Sequence, residues 1–343
     1  MSGLESTSGP LRCQLDSTAQ ATAIAHPNIA LVKYWGKRDE ERNVPAVGSI
    51  SITLDTLSTE TTVAFDDALE CDQFELDGRP APDRTERVVR CLDLFRSRVP
   101  DAGCARVTSR NSFPTGAGLA SSASGFAALV VAVDHALGTE LSRAELADLA
   151  RQCSGSAARS LFGGFVELGF VPGTDRRETT TTQLLRAEDW SLAVAVAIVS
   201  AAEKPVGSTA GMQLTARTSP YYPAWVAGAD RDLDDARSAI ERRDFEALAA
   251  AAELSCLKMH AVALAARPGL LYWHGATVDC LHHIRELRRQ GTPVFFTVDA
   301  GPQVKAICMP EALDRVRAEL AQVPGVESLL CAGLGDGARV LSE

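Results

Sequence analysis

The sequence predicts an α+β protein made of two successive layers. Strand-like runs precede helical ones in the first half of the chain, and the same order returns in the second, which argues against one doubly wound sheet. A length of 343 residues is enough for two domains, or one large one, with a well-filled core. Apolar residues make up 46% and charged residues 23%, an ordinary globular mixture.

Thr22–Tyr34, Ser49–Leu54 and Thr61–Phe65 read as strands, the second with alternating apolar positions. Arg84–Arg98 carries Val88, Val89, Leu92 and Phe95 at helical spacing, and Ala105–Ser109 reads as a short strand leading into Pro-Thr-Gly-Ala-Gly. Leu119–Leu137 is apolar and Ala-rich enough for a buried helix, with Gly138 suited to its C-terminal cap. Ser142 with Glu145 is a capping-box signature for a helix ending near Cys153. The segment SGSAARSLFGG re-enters a helix, and Gly163-Gly164 releases the chain into the strand Phe165–Phe170. Pro172–Asp189 reads as a loop or exposed hairpin that ends the first half.

The second half starts with the strand Ser191–Val199 and continues through Ala-rich helices between Ser208 and Arg267, then a helix over Thr277–Gln290. Val294–Val298 and Val304–Cys308 flank the turn Asp-Ala-Gly-Pro. A helix over Ala312–Gln322 and two short strands close the chain, and there is no internal repeat. The expected organisation is a flexible tail over 1–20, an N-terminal domain over 21–189 and a C-terminal domain over 190–343.

A net charge of −10 argues against broad nucleic-acid binding, which needs basic surface to neutralise phosphates, but leaves room for a locally basic pocket. Nine cysteines without a CxxC pair or a histidine at ligand spacing point to reduced thiols rather than disulfides or zinc. Cys153 reads as a small buried hydrophobe. The first twenty residues lack the apolar core of a secretory signal, and the longest aliphatic stretch, Leu192–Ala202, is too short to span a bilayer. A cytoplasmic location is expected.

Chemistry concentrates in four places. In HPNIALVKYWGKRDE, Lys33 and Lys37 bracket Tyr34 and Trp35 within an apolar run; such lysines suggest an anionic ligand or guard an edge strand. PTGAGLASSASG puts small residues, among them Gly116, at a helix start, where unpaired N–H groups and the helix dipole form an anion site. Ser121 and Ser122 add hydroxyls for phosphate or Mg²⁺, whereas a small-residue helix start packed on a sheet is the plainer reading. Arg159 sits among small and apolar residues beside Ser154 and Ser156, so it needs a planar anion, either a substrate carboxylate or an internal Asp or Glu. Asp299 breaks the buried strand of FFTVDAGPQV, either as an Asx-turn or as a catalytic carboxylate paired with a lysine. Ser208 and Thr209 are plausible cap or pocket hydroxyls, Met212 reads as helix interior, and the histidines show no ligand spacing.

Taken together, AHPNIALVKYWGKRDE, GSISITL, NSFPTGAGLASSASGFAAL, SGSAARSLFGGFVE, GSTAGMQLT and PVFFTVDAGPQVKAIC resemble the diphosphomevalonate decarboxylases of the GHMP kinase superfamily. The resemblance covers Ala25 to about Cys308. It implies a two-domain GHMP-kinase-like fold, with an N-terminal domain like ribosomal protein S5 domain 2 and a ferredoxin-like C-terminal domain. It also implies ATP- and Mg²⁺-dependent conversion of mevalonate 5-diphosphate to isopentenyl diphosphate, CO₂, ADP and phosphate, in a homodimer.

By the same resemblance, Asp299 is the catalytic carboxylate, Lys33 the lysine that keeps it ionised, and Arg159 the grip on the substrate carboxylate. Tyr34, Lys37, Ser154, Ser156, Thr209 and Met212 surround the substrate and its diphosphate. Gly116, Gly118, Leu119, Ala120, Ser121 and Ser122 belong to the ATP phosphate loop, Ser121 also as a metal ligand, and Ser109 and Asn111 flank the nucleotide. The chain departs from many members at Ala46-Val47-Gly48-Ser49, where they carry Thr-Asn-Ser-Ser on the nucleotide side. It departs again at Gly116 in PTGAG, at Gln303, and at Thr209, where some bacterial members use arginine. These changes bear on the choice between monophosphate and diphosphate. The resemblance leaves two rivals: a kinase that stops after phosphorylation, and a metabolite-binding protein without turnover.

Overall fold

The apolar run from Thr22 to Tyr34 forms two strands instead of one. Pro27 has no N–H to give a ladder, and it separates β1 (Gln20–Ala25) from β2 (Asn28–Val32), which join different sheets. The structure, a computed structural model, describes residues 19–113, 121–200, 202 and 204–342. The expected tail up to residue 18, and Gly116, Gly118, Leu119 and Ala120 of the small-residue loop, lie outside the described residues.

A hairpin of β3 (Lys37–Asp39) and β4 (Val44–Pro45) follows β2. Next come β5 (Ser49–Thr53), β6 (Thr59–Phe65), β7 (Gln73–Leu76), β8 (Arg79–Pro80), α1 (Pro82–Arg96) and β9 (Ala105–Asn111). The first half continues with α2 (Ser121–Leu137), α3 (Arg143–Cys153), a 3₁₀ turn over Ala157–Leu161, β10 (Phe165–Phe170) and β11 (Thr179–Leu185). The second half holds β12 (Ala193–Ile198), α4 (Ser208–Thr218), α5 (Tyr222–Arg242), α6 (Phe245–Leu264) and α7 (Gly275–Arg289). It ends with β13 (Val294–Val298), β14 (Val304–Cys308), α8 (Leu313–Leu320), β15 (Ser328–Gly333) and β16 (Arg339–Val340).

The first sheet runs β16-β1-β6-β9-β7-β8, antiparallel except between β7 and β9. Its Ala23, Val63 and Val107 pack on Val88 and Phe95 of α1, Phe126 and Val130 of α2 and Leu149 of α3. The expected capping box starts α3: the Ser142 hydroxyl accepts from the Glu145 N–H while the Glu145 carboxylate accepts from Ser142. Of the loop or exposed hairpin expected over Pro172–Asp189, the hairpin forms in part: its second strand is β11, which pairs antiparallel with β10, and not with another strand of that segment, at the edge of a second sheet, β11-β10-β5-β2. Its alternation of exposed threonines hid it, because an edge strand has less apolar surface to bury.

The third sheet, β13-β14-β12-β15, has both faces covered, which is why β12 is buried at every position. Ala193, Ala195, Ala197 and Val199 face Cys280, Ile284 and Leu287 of α7 and Val316 of α8. Val194, Val196 and Ile198 face the other way and share one core with Ile29, Ile50, Ile52 and Phe165 of the second sheet. Helix α6 is apolar and long enough to cross a membrane, yet 56% of that stretch is buried in the protein, as expected of a core helix.

After β15 the chain returns to the first half. Gly335 donates to the Thr53 carbonyl at 2.8 Å and accepts from Gly164 at 2.9 Å. A Cβ on Gly335 would sit 2.2 Å from the Leu54 carbonyl oxygen, so only glycine permits this approach. The strand β16 then completes the first sheet beside β1.

Candidate active site

Lys33 lies one residue past β2, where the pairing with β5 is irregular. Its backbone N–H donates to the Ser255 hydroxyl of α6 at 2.9 Å. Its ammonium, only 2% exposed, donates to the Ala30 carbonyl at 2.8 Å and to Asp299 Oδ1 at 2.5 Å. Asp299 follows β13, and the ammonium of Lys305 on β14 lies 3.1 Å from its other oxygen. Burial works to raise the Asp299 pKa, but the charges and hydrogen bonds of Lys305 and Lys33 outweigh it and hold the carboxyl well below the usual range. The carboxylate keeps 32% of its side-chain surface open to the cleft.

Arg159, in the 3₁₀ turn, is also 2% exposed. Its Nε donates to Ser51 Oγ at 3.0 Å, Nη1 to Ser49 Oγ and Nη2 to Asn28 Oδ1 at 3.4 Å. Asn28 is itself oriented by donating to the Ser156 carbonyl and the Ser160 hydroxyl. Among the described residues no Asp or Glu pairs with Arg159, and the internal salt bridge weighed as an alternative does not form with any of them. Burial lowers its pKa to about 10, while Tyr34 and Asp299 act to raise it. A buried guanidinium held only by neutral oxygens is arranged for an anion from outside.

Tyr34 is pushed up to about 12 by burial, partly opposed by the charges of Arg159 and Arg151, and stays a neutral phenol. Its hydroxyl lies over Gly155, where a Cβ would come within 2.7 Å. Ser154 Oγ lies 3.5 Å from both Ser156 Oγ and Ser122 Oγ, a row of hydroxyls between this cleft and the start of α2. The half-buried Lys37 has its pKa lowered by burial, with Glu40 opposing.

The start of α2 lines a cavity of about 320 Å³. Ser109, Asn111, Ser121 and Ser122 edge it, apolar Phe74 and Phe126 form walls, and Arg84 and Arg87 bring positive charge. Ser109 shares a hydrogen bond with Thr61 at 2.8 Å, and Asn111 accepts from Thr59 at 2.7 Å, so both are fixed by β6. Arg87 donates to the Cys153 carbonyl at 3.0 Å and lies over the Phe126 ring, joining this cavity to the serine row.

On the opposite side, the Lys204 ammonium donates to Ser208 Oγ at 2.8 Å and to the Ala300 carbonyl at 2.9 Å. Burial lowers its pKa, with Asp299 acting to raise it and Lys305 to lower it. Thr209 is exposed at the start of α4, whereas Met212 is buried with Trp35. Ala46 and Val47 belong to that same apolar cluster, so the Thr-Asn-Ser-Ser departure falls on the Trp35 side and not at the cavity beside α2.

The sequence reading did not single out Lys305, Lys204, Asn28, Ser49 or Ser51. Lys305 carried a usable signal: it is a lone charge inside the buried strand Val304–Cys308, one hairpin away from Asp299. Serines inside the buried run SISIT were a second signal, since hydroxyls there need a partner. For a divalent metal, no cluster of three His, Cys, Asp or Glu side chains occurs among the described residues.

Two family models match the chain: the diphosphomevalonate decarboxylase-like N-terminal domain over residues 25–180, and the mevalonate 5-diphosphate decarboxylase C-terminal domain over 194–328. The diphosphomevalonate decarboxylase of Candida albicans is 37% identical over 299 residues, 82% of each chain. The phosphomevalonate decarboxylase of Haloferax volcanii is 35% identical over 328 residues, 94% of this chain and 98% of that one. The solved mevalonate diphosphate decarboxylase from Enterococcus faecalis superposes with a TM-score of 0.87 at 37% identity, covering 95% of this chain and 100% of that one. A complex of MDDEF with MVAPP, the ATP analogue AMPPCP and magnesium fits equally well.

Proposed function

The chain belongs to the diphosphomevalonate decarboxylase family, and we infer that it decarboxylates mevalonate 5-diphosphate at the expense of ATP. The observation that carries the assignment of residues is Arg159, buried and without a carboxylate of its own, in electrostatic reach of the lysine-clamped Asp299. A substrate bearing both a carboxylate and a tertiary hydroxyl satisfies the two groups at once.

The tertiary hydroxyl is a poor leaving group until it is phosphorylated. ATP enters the cavity beside α2, with Ser109 and Asn111 at the nucleotide and Ser121 and Ser122 toward its phosphates. When bound, Mg²⁺ neutralises phosphate charge, and Ser121 is the residue to hold it. Phosphoryl transfer depends chiefly on positioning and charge neutralisation, so Lys33 and Lys204 contribute by their fixed charges. Asp299 accepts a hydrogen bond from the substrate hydroxyl and aims its oxygen at the γ-phosphorus. A carboxylate this acidic is a weak base, so it takes the proton only once the O–P bond has formed and made that proton strongly acidic.

The C–O bond then breaks with its electron pair leaving on phosphate. The pair from the C–C bond to the carboxylate forms the alkene, and CO₂ departs. Arg159 holds the carboxylate so that this bond lies in line with the departing phosphate; Asp299, held well below the usual carboxylate range, passes its proton on to a phosphate oxygen and, charged again, stabilises positive charge developing at the tertiary carbon. Tyr34, Lys37, Ser154 and Ser156 bind the diphosphate end, with Thr209 and Met212 bordering it.

The test is a panel of mevalonate, its 5-phosphate and its 5-diphosphate, each with ATP and Mg²⁺, followed by trapped CO₂ and by ADP. CO₂ and ADP in equal amounts from the diphosphate are expected. ADP without CO₂ identifies a kinase, and neither product removes the enzymatic reading. A second reading, decarboxylation of the 5-phosphate, is favoured by the uncharged Thr209 and by the length shared with the Haloferax volcanii relative; CO₂ from the monophosphate alone would select it.

We also propose residues 21–189 as the ATP-binding domain and 190–343 as the C-terminal domain, a division supported by the gap between the matched segments, except that the last strand, β16, crosses back to pair with β1 in the sheet of the first. A cytoplasmic location is supported by the free thiols of all eight described cysteines. Homodimerisation, which the resemblance implies, is tested by sedimentation mass.

A further inference from the structure

We propose that Lys305 is a positioning residue for Asp299, holding the second carboxylate oxygen so that the acid meets the substrate hydroxyl in one orientation and fully charged. The proposal rests on the reading of Asp299 given above. Along β14, Val304, Ala306 and Cys308 enter the core against α7 and α8, while Ile307 packs toward the second sheet. Lys305 shares the Ile307 side and stands opposite Thr297 of β13, which donates to the Ala30 carbonyl at 3.2 Å. That same carbonyl receives Lys33 at 2.8 Å. The two ammonium groups therefore approach Asp299 from different elements, one oxygen each.

A buried ion pair to close the hairpin would need only one lysine. Lys33 already balances the charge of Asp299, and the interior of a buried strand is ordinarily filled by apolar side chains. Lys305 is instead 2% exposed, and its ion-pair partner among the described residues is Asp299. A carboxylate offers about four lone-pair directions, so two lysines pin both oxygens and still leave acceptor sites toward the cleft. Among the described residues, the other groups in electrostatic reach of Asp299 are Lys204 and Arg159, both cationic, and Cys256 and His260 of α6. Burial keeps Cys256 a neutral thiol and holds His260 down to about 3, so neither supplies charge near neutral pH. Lys305 is thus one of a few fixed cations that set how strongly Asp299 resists protonation.

The experiment compares Lys305→Met, Lys305→Arg and Asp299→Asn with the parent enzyme in steady-state kinetics across pH. Lys305→Met is expected to lower kcat by about 10- to 100-fold, with KM for both substrates little changed, because Lys305 acts through Asp299 and not on a substrate. The acid limb of its kcat profile moves to higher pH, since one of two cations opposing protonation is gone. Lys305→Arg keeps the charge and is expected to leave the limb in place, and it carries the test if the methionine variant does not fold. A loss equal at every pH, a change in KM alone, unaltered kinetics in Lys305→Met, or a limb that moves in Lys305→Arg would each overturn the proposal. If Asp299→Asn retains turnover, the reading of Asp299 fails. If it is inactive while Lys305→Met behaves as the parent, only the positioning role fails.

Discussion

Lys33 and Asp299, 266 positions apart in the chain, meet at 2.5 Å. The contact exists because the residue after β2 and the residue after β13 are brought together at one edge of the core shared by the second and third sheets. It joins the two halves at the point where the reaction is assigned.

Asp299→Asn keeps the shape of the side chain and removes its charge. Turnover is expected to fall by about 10²- to 10⁴-fold, the usual scale for losing a proton-transfer group, with ATP binding largely intact. Single-turnover CO₂ release and equilibrium nucleotide binding check the two halves of this expectation. Undiminished turnover removes Asp299 from the mechanism.

Arg159→Lys replaces a fork with a point charge. Two charge-assisted hydrogen bonds to the substrate carboxylate become one, and kcat/KM is expected to drop by about 10²-fold or more. Near-normal kinetics would mean that Ser49, Ser51 and Asn28 hold the guanidinium for the sake of the fold alone.

Gly155→Ala puts a methyl group 2.7 Å from the Tyr34 hydroxyl and 2.9 Å from its ring. The ring must swing away from Ser154 and Ser156, so KM for the phosphorylated substrate is expected to rise by roughly tenfold, with KM for ATP unchanged. Combining the change with Tyr34→Ala removes the clash. If the two substitutions act independently in the double variant, the contact has no bearing on binding.

His260 donates to the Val298 carbonyl from within the core, and burial lowers its pKa to about 3. The unfolded chain takes up a proton at this site near pH 6.5 while the native protein does not, so stability falls as pH drops from about 6.5 toward about 3. Between pH 7 and pH 5 this one group accounts for about 2 kcal/mol. His260→Gln should lose that share of the pH dependence in urea unfolding. An identical difference between the two pH values in both proteins would falsify the assignment.

Much of this arrangement could be read before any coordinates. Asp299 follows a run too apolar to end in an unpaired charge, and Arg159 stands among residues that offer it no partner, so each demanded a counterpart. What could not be read is which groups answer the demand. Lys305 belongs to the legible part: a charge in the middle of a buried strand is as anomalous as one at its end. Ser49 and Ser51 looked like ordinary strand residues, since hydroxyls reveal a role only when the group they hold is known. The break at Pro27 was present in the composition but masked by apolar residues on both sides. Pairings such as β7 with β9, or β11 with β10, depend on neighbours remote in sequence, and local periodicity says nothing of them.

The strand that closes the edge of the first sheet is the last in chain order, so the ribosome exposes β1 long before it delivers β16. At typical synthesis rates that interval is roughly tens of seconds. Throughout it the nascent polypeptide carries an unpaired ladder that any passing strand could occupy. Translation speed, and chaperones that shield the emerging chain, therefore bear on the yield of native enzyme.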